Sequence, residues 1–108
     1  MADSPSSDEM ALWQRRLAAQ ANNRAWRLSE STDRSPQDDE DMLGAAHAAL
    51  HLWKLAGNAG NRAHAALLLA HVYALLKLPH PARHYLGQCE PFFLGQDCEP
   101  WERACAVI

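Results

Sequence analysis

Apolar residues recur at intervals of three and four along most of this chain, which is the spacing of an amphipathic α-helix. The first such stretch covers about residues 8 to 29. Its apolar stripe consists of Met10, Trp13, Leu17, Ala21 and Leu28. Most of the arginines in this stretch fall off the stripe. The pattern predicts an amphipathic helix.

A polar segment over residues 29–35 separates this helix from a second one. Ser35 can cap the second helix, and Pro36 takes its first position, where a missing N–H costs nothing. The acidic run at residues 38–41 is favourable beside the helix dipole, and the alternative is a site for a metal or a basic partner. The second helix is predicted to continue to Ala56, with Gly57 as a natural residue after its end.

Two further helices are predicted around a turn that Pro79 and Pro81 bracket. The third covers about residues 60–78 and can be capped by the asparagines at 58 and 61. The fourth runs from Pro81 to about Leu94. A fifth opens near residue 99 and is still short when the sequence stops at Ile108. The chain is therefore predicted to be all-α, with about five helices.

Composition supports helix and restricts the class of protein. Ala and Leu dominate, and 48% apolar residues with four Trp suffice for a packed core. The sequence has no apolar run of about 18 residues to cross a membrane, and its first residues do not resemble a secretory signal. Three cysteines without a CxxC pair favour reduced thiols. We expect a cytoplasmic protein.

The third and fourth helices resemble a tetratricopeptide repeat (TPR). Counted from Ala63, positions 7, 8, 11, 20, 24 and 27 of the repeat hold Leu69, Ala70, Tyr73, Ala82, Leu86 and Cys89. Ala66 replaces the usual Trp at position 4. A preceding unit is matched by Ala49, Trp53 and Ala56, and a following one by Trp101, Ala104, Cys105 and Ile108. Over residues 10–108 the chain is also similar to a group of bacterial TPR-like proteins.

This resemblance implies antiparallel helical hairpins stacked as a short right-handed superhelix. The expected organisation is a disordered tail at residues 1–7 and a single TPR-like domain at residues 8–108. The implied function is a non-enzymatic protein–protein interaction module that needs no cofactor. The expected partner is a protein or peptide. A net charge of -3 and the lack of a basic stripe with interleaved aromatics argue against a nucleic-acid partner, and no membrane partner is expected.

In TPR arrays, positions 2, 5, 9, 12 and 13 line a concave groove that receives peptides. The corresponding residues here are His64, Leu67, His71, Ala74 and Leu75, followed in the next unit by Glu99 and Glu102. Such a groove would be apolar, with imidazole donors and an acidic end. The alternative is that these side chains face another helix of the same chain or of a dimer.

The last predicted helix carries apolar residues with no following helix to cover them. They include Trp101, Val107 and Ile108. Repeat arrays normally end in a polar cap, and exposed apolar surface commonly marks association. We therefore expect either a fragment of a longer chain or a homo-oligomer in which another subunit covers this helix.

Histidine pairs supply an alternative function. His47 and His51 are four residues apart and share a helix face, as two metal ligands would in a small helical-bundle metalloprotein. No HExxH arrangement accompanies them, so the signal is weak. His80 and His84 have the same spacing. No catalytic residues are expected, and of the three thiols Cys98 is the one most expected to be exposed.

Overall fold

The computed structural model describes residues 6–95, and these residues form four α-helices. The helices are α1 (Ser7–Glu30), α2 (Pro36–Ala56), α3 (Ala59–Leu75) and α4 (Pro79–Phe93). No strand occurs within this range, so the all-α prediction is confirmed for it. The predicted fifth helix lies outside the described residues, together with the site candidates Glu99, Trp101, Glu102, Val107 and Ile108.

Side-chain caps fix the starts of the first three helices. The Ser6 hydroxyl accepts a hydrogen bond from the Glu9 amide at 3.1 Å. Helix α1 therefore begins at Ser7, one residue before the predicted start, and Ser7 belongs to the helix. Two reciprocal capping boxes start α2 and α3, and they pair Ser35 with Asp38 and Asn58 with Asn61. Each box satisfies amides that a helix start would otherwise leave without partners.

The turn between α3 and α4 differs from the prediction. Helix α3 ends at Leu75, three residues early, and Lys77 takes a left-handed conformation with φ of 61°. The Leu78 amide then donates to the Tyr73 carbonyl at 2.9 Å, which closes the turn. Helix α4 consequently starts at Pro79 rather than at Pro81. A β-branched or proline residue at position 77 would strain this turn.

The four helices form two hairpins, one of α1 with α2 and one of α3 with α4. Helix α3 also packs against α2 and touches α1, so it is the central helix of the described part. The largest fully buried side chains are Met42, Leu68, Leu69, Val72, Cys89 and Phe93. Alanines occupy many of the remaining buried positions on α2 and α3, among them Ala46, Ala49, Ala63, Ala65 and Ala66.

Only the C-terminal part of the predicted apolar stripe of α1 packs inward, where Leu28 lies against the core. Trp13 is 57% exposed, and Met10 and Leu17 are also exposed. The fully buried residues of α1 are Ala18 and Ala25. Small side chains let α1 lie close to α2, and the bulky residues in the N-terminal half of the stripe stay outside. The helix was predicted correctly, and its apolar stripe meets the core only near its C-terminal end.

Along residues 6–95, no helix combines the length and the apolar character that crossing a lipid bilayer requires.

Two glycines, one inside α2 and one at its C-cap, give opposite expectations for the same substitution. Gly44 lies in the helix interior with nothing within 4 Å of an added Cβ, so Gly44→Ala should stabilise the fold by about 0.5–1 kcal/mol. An added Cβ at Gly57 would lie 2.7 Å from the Trp53 carbonyl oxygen, so Gly57→Ala should destabilise it by about 1–3 kcal/mol. Urea unfolding of both variants measures the difference. Shifts of the same sign would contradict this packing.

Candidate functional site

Helix α3 carries the groove candidates of the described range. Their spacing of three and four residues places them along one side of the helix. His71 and Ala74 are exposed, whereas His64, Leu67 and Leu75 are half-buried. Leu67 and Leu75 also pack against the core cluster. The predicted residues therefore share a side of α3 but differ in how much surface they offer a partner.

His64 fits the alternative in which a groove residue faces a neighbouring helix. Its ring meets the ring of Phe93 edge-on, with centroids 5.1 Å apart, and it also contacts Phe92. Both phenylalanines belong to the end of α4. His64 consequently serves the packing of the α3–α4 hairpin, and the accessible part of the surface lies further along α3.

The accessible part is centred on a pair of rings from two helices. The indole of Trp26 on α1 stacks on the imidazole of His71 on α3, with centroids 5.5 Å apart and an interplanar angle of 29°. Trp26 remains 38% exposed. We call the surface formed by Trp26, Leu67, His71 and Ala74 the concave face, after the groove that the TPR resemblance implies for this side of α3. Trp26 was missed by the sequence analysis, although its position off the apolar stripe of α1 was an available signal.

Arg34, in the loop between α1 and α2, acts on His71 of this pair electrostatically. Its guanidinium donates to the Asp39 carboxylate at 2.8 Å and to the Ser31 carbonyl at 2.6 Å. Burial lowers the pKa of His71 below its ordinary value of 6.5, and the Arg34 cation lowers this pKa further. His71 is therefore a neutral imidazole at neutral pH and can both donate and accept a hydrogen bond.

A second cluster joins α2, α3 and α4. His47 Nε2 lies 2.7 Å from the Tyr73 hydroxyl, and the rings of Tyr73 and Tyr85 stack in parallel with centroids 5.8 Å apart. The His47 ring meets both tyrosine rings edge-on. Burial lowers the pKa of His47 and raises the pKa of Tyr73, which Tyr85 raises further. Both groups are therefore uncharged at neutral pH, and the tautomer of His47 decides which of them donates in this hydrogen bond.

The metal alternative gains no support from this geometry. His47 is hydrogen-bonded to Tyr73, and His51 is exposed on the same helix. Within residues 6–95, no group of three or more His, Cys, Asp or Glu side chains is arranged to hold a metal ion. His80 and His84 line an open cleft of about 580 Å³ instead, and the His84 ring lies within 3.1 Å of the Gln88 amide nitrogen.

Cys89 is the one cysteine of the chain within the described range, and it is suited to packing rather than to nucleophilic chemistry. It is fully buried, and its thiol donates to the Leu86 carbonyl at 3.2 Å. Burial raises its pKa to about 11. A thiol with so high a pKa supplies almost no thiolate at neutral pH. Cys98, the predicted exposed thiol, lies outside the described residues.

Comparison with known protein families, with curated proteins and with solved structures finds no match for this chain. No relative therefore supplies a function, and a functional proposal depends on the surfaces of the chain itself.

The hydrogen bond in the second cluster can be tested with a matched pair of variants. Tyr73→Phe keeps the stacked ring but leaves His47 without its partner, so it should destabilise the fold by about 1–2 kcal/mol. Tyr85→Phe removes a hydroxyl from the other ring of the same stack and should change stability by less than about 0.5 kcal/mol. Denaturant unfolding measures both. Equal losses would show that the His47 contact adds nothing.

The histidine pKa values predict how stability depends on pH. Burial lowers the pKa of His47 and His71 in the folded state, so below pH 6.5 the unfolded state takes up protons first. The contribution of these two histidines to the free energy of unfolding should therefore be constant well above pH 6.5. The free energy of unfolding should fall as the pH decreases below 6.5. Chemical unfolding at several pH values measures the slope, which should be smaller in a His47→Gln/His71→Gln variant. An unchanged slope in that variant would contradict the assignment.

Proposed function

We propose that this chain is a non-enzymatic protein-interaction module built as a short TPR-like stack. It binds a segment of a partner protein or peptide on its concave face, and it also associates with its own copies. The proposal includes the right-handed superhelix and a fifth helix after Gly95. A reducing, cytoplasmic environment is part of the same proposal, and the unpaired buried thiol of Cys89 is in keeping with it.

The observation that carries the proposal is the stack of Trp26 on His71. Tryptophan is enriched among the residues that contribute most to binding at protein interfaces. Its ring is held in place by the imidazole yet keeps 38% of its surface exposed, so little ordering is needed when a partner binds. The exposed Ala74, one turn further along α3, leaves room for a side chain of the partner.

The chemistry of the concave face indicates the kind of segment it fits. Trp26 and Leu67 offer apolar surface, and the neutral His71 ring offers a hydrogen-bonding group at their centre. A segment with one large apolar side chain beside a free backbone group would satisfy both. An amphipathic helix lying in a groove is one established way to present such a side chain.

The helical order supports the TPR-like part of the proposal. Two consecutive hairpins stack through α3, as they do when repeats follow one another. Three of the residues at positions that resemble the repeat pattern are buried, namely Leu69, Ala70 and Cys89. Tyr73 lies between α2 and α4, where a large ring separates two helices.

A library of peptides displayed on phage, selected against the full chain, tests the binding surface. The wild-type chain should enrich related apolar sequences, and Trp26→Ala should weaken their binding by about 30-fold. Trp13→Ala is the matched control because Trp13 is also an exposed tryptophan of α1, and its ring packs against Arg16 of the same helix. Its binding should equal that of the wild type. A failure to enrich any sequence, or equal losses in both variants, would count against the concave face.

A further inference from the structure

We propose that the chain dimerises through an outer face of the α1–α2 hairpin, with two α1 helices packed antiparallel across Trp13. The outer face consists of Met10, Trp13, Leu17 and Leu55. The proposal deepens the self-association part of the proposed function by naming its surface, and it rests on that part.

Four large apolar side chains of this face are exposed. Met10, Trp13 and Leu17 on α1 are 45%, 57% and 47% exposed, and Leu55 on α2 is 56% exposed. The three residues of α1 are spaced by three and four, so they form one stripe. Contiguous apolar surface of this kind marks an interaction site.

This stripe lies on the side of α1 away from α3. Leu17 and Trp26 are nine residues apart, about two and a half turns, so they lie on opposite sides of the helix. Trp26 contacts α3 through His71. The outer face is consequently at the end of the helical stack, separate from the concave face, and a partner can reach it without displacing any described helix.

Helix α2 extends the same surface. Arg24 follows Leu17 by two turns and forms an ion pair with Asp41 of α2 at 3.4 Å, which marks the flank that both helices share. Leu55 follows Asp41 by fourteen residues, close to four turns, so it lies on that flank of α2. The hairpin is antiparallel, and the end of α2 that holds Leu55 is therefore level with the start of α1.

Charges beside Trp13 indicate that the occupant is a second copy. Glu9 lies one turn before Trp13 and Arg16 one turn after it, and neither forms an ion pair within the described residues. When two α1 helices pack antiparallel about a twofold axis near Trp13, Glu9 of each copy lies opposite Arg16 of the other. The same two residues then supply two complementary pairs, and complementary charge fixes the register of an interface.

The Arg16 side chain already lies over the apolar surface. Its guanidinium carbon is 5.4 Å from the centroid of the Trp13 ring. This contact holds the cation at the edge of the stripe, where a carboxylate of the second copy can approach. In a parallel pair related by a twofold axis, the flank that carries Glu9 and Arg16 would lie on opposite edges of the interface in the two copies, so these residues could not pair.

Sedimentation of the full chain from micromolar to near-millimolar concentration tests the surface. The wild type should dimerise, and Trp13→Asp should weaken the dimer by about 30-fold or more because each copy buries this ring. Leu94→Asp is the control, since Leu94 is 61% exposed but lies just after α4. It should leave the dimer unchanged. Circular dichroism confirms that the variants keep their helices.

A charge exchange tests the register. Glu9→Arg and Arg16→Glu should each weaken dimerisation by about tenfold, because each replaces two attractive pairs with two repulsive ones. The combined Glu9→Arg/Arg16→Glu variant should recover most of the dimerisation affinity that the single variants lose. It is best compared with Glu9→Arg alone, since both lack the same carboxylate in the first turn of α1.

The outcomes separate this interface from the broader proposal. A wild-type dimer that is insensitive to Trp13→Asp, or whose combined charge variant shows no recovery, leaves self-association standing but overturns this interface. A wild type that stays monomeric at every concentration overturns both. The outer face would then be covered by residues 96–108 of the same chain or by a different protein.

Discussion

The close packing of α3 against its neighbours is the contact on which the other described features depend. Three alanines of α3, Ala63, Ala65 and Ala66, are at most 5% exposed, and Ala46 of α2 is fully buried. Small side chains at a helix contact permit the short end of the usual interaxial range of about 8–10 Å. Side chains that project to either side of α3 are then held by the neighbouring helices, and this is how His71 meets α1 and how Tyr73 meets α2 and α4.

Four of the six histidines of this chain pack their rings against aromatic side chains. His47, His64, His71 and His84 each pack against an aromatic ring, with centroid distances of 4.9 to 5.6 Å. An imidazole that is packed in this way is partly removed from water, and this burial lowers the pKa of His47 and His71. A neutral imidazole packs against Tyr, Phe or Trp with a small desolvation penalty. A protonated imidazole in the same place would have a larger one. In the two pairs whose spacing suggested metal ligands, His47 and His84 take part in ring packing and hydrogen bonding.

Helix α1 presents a tryptophan on each of two opposite sides, and the reason is the size of its buried residues. Because the fully buried residues of α1 are Ala18 and Ala25, most of its larger apolar side chains lie outside the core, with Leu28 as an exception. Trp26 is directed to the concave face, where His71 supports it, and Trp13 is left on the outer face beside Arg16. The same packing constraint therefore produces both proposed binding surfaces, one for a partner segment and one for a second copy.

The sequence by itself determined the helices and most of their boundaries, because caps and helix-breaking residues act locally. Ser35, Asn58 and Pro36 decide where a helix starts whatever surrounds it. The spacing also placed the groove candidates on one side of α3. Which side of α1 is buried was decided only by the tertiary structure, since periodicity identifies an apolar stripe but not the helix that will cover it. The tertiary structure also decided two ring pairs, Trp26 with His71 and His47 with Tyr73. The two residues of these pairs are 45 and 26 residues apart in the chain. Only the packing of α3 brings these rings together.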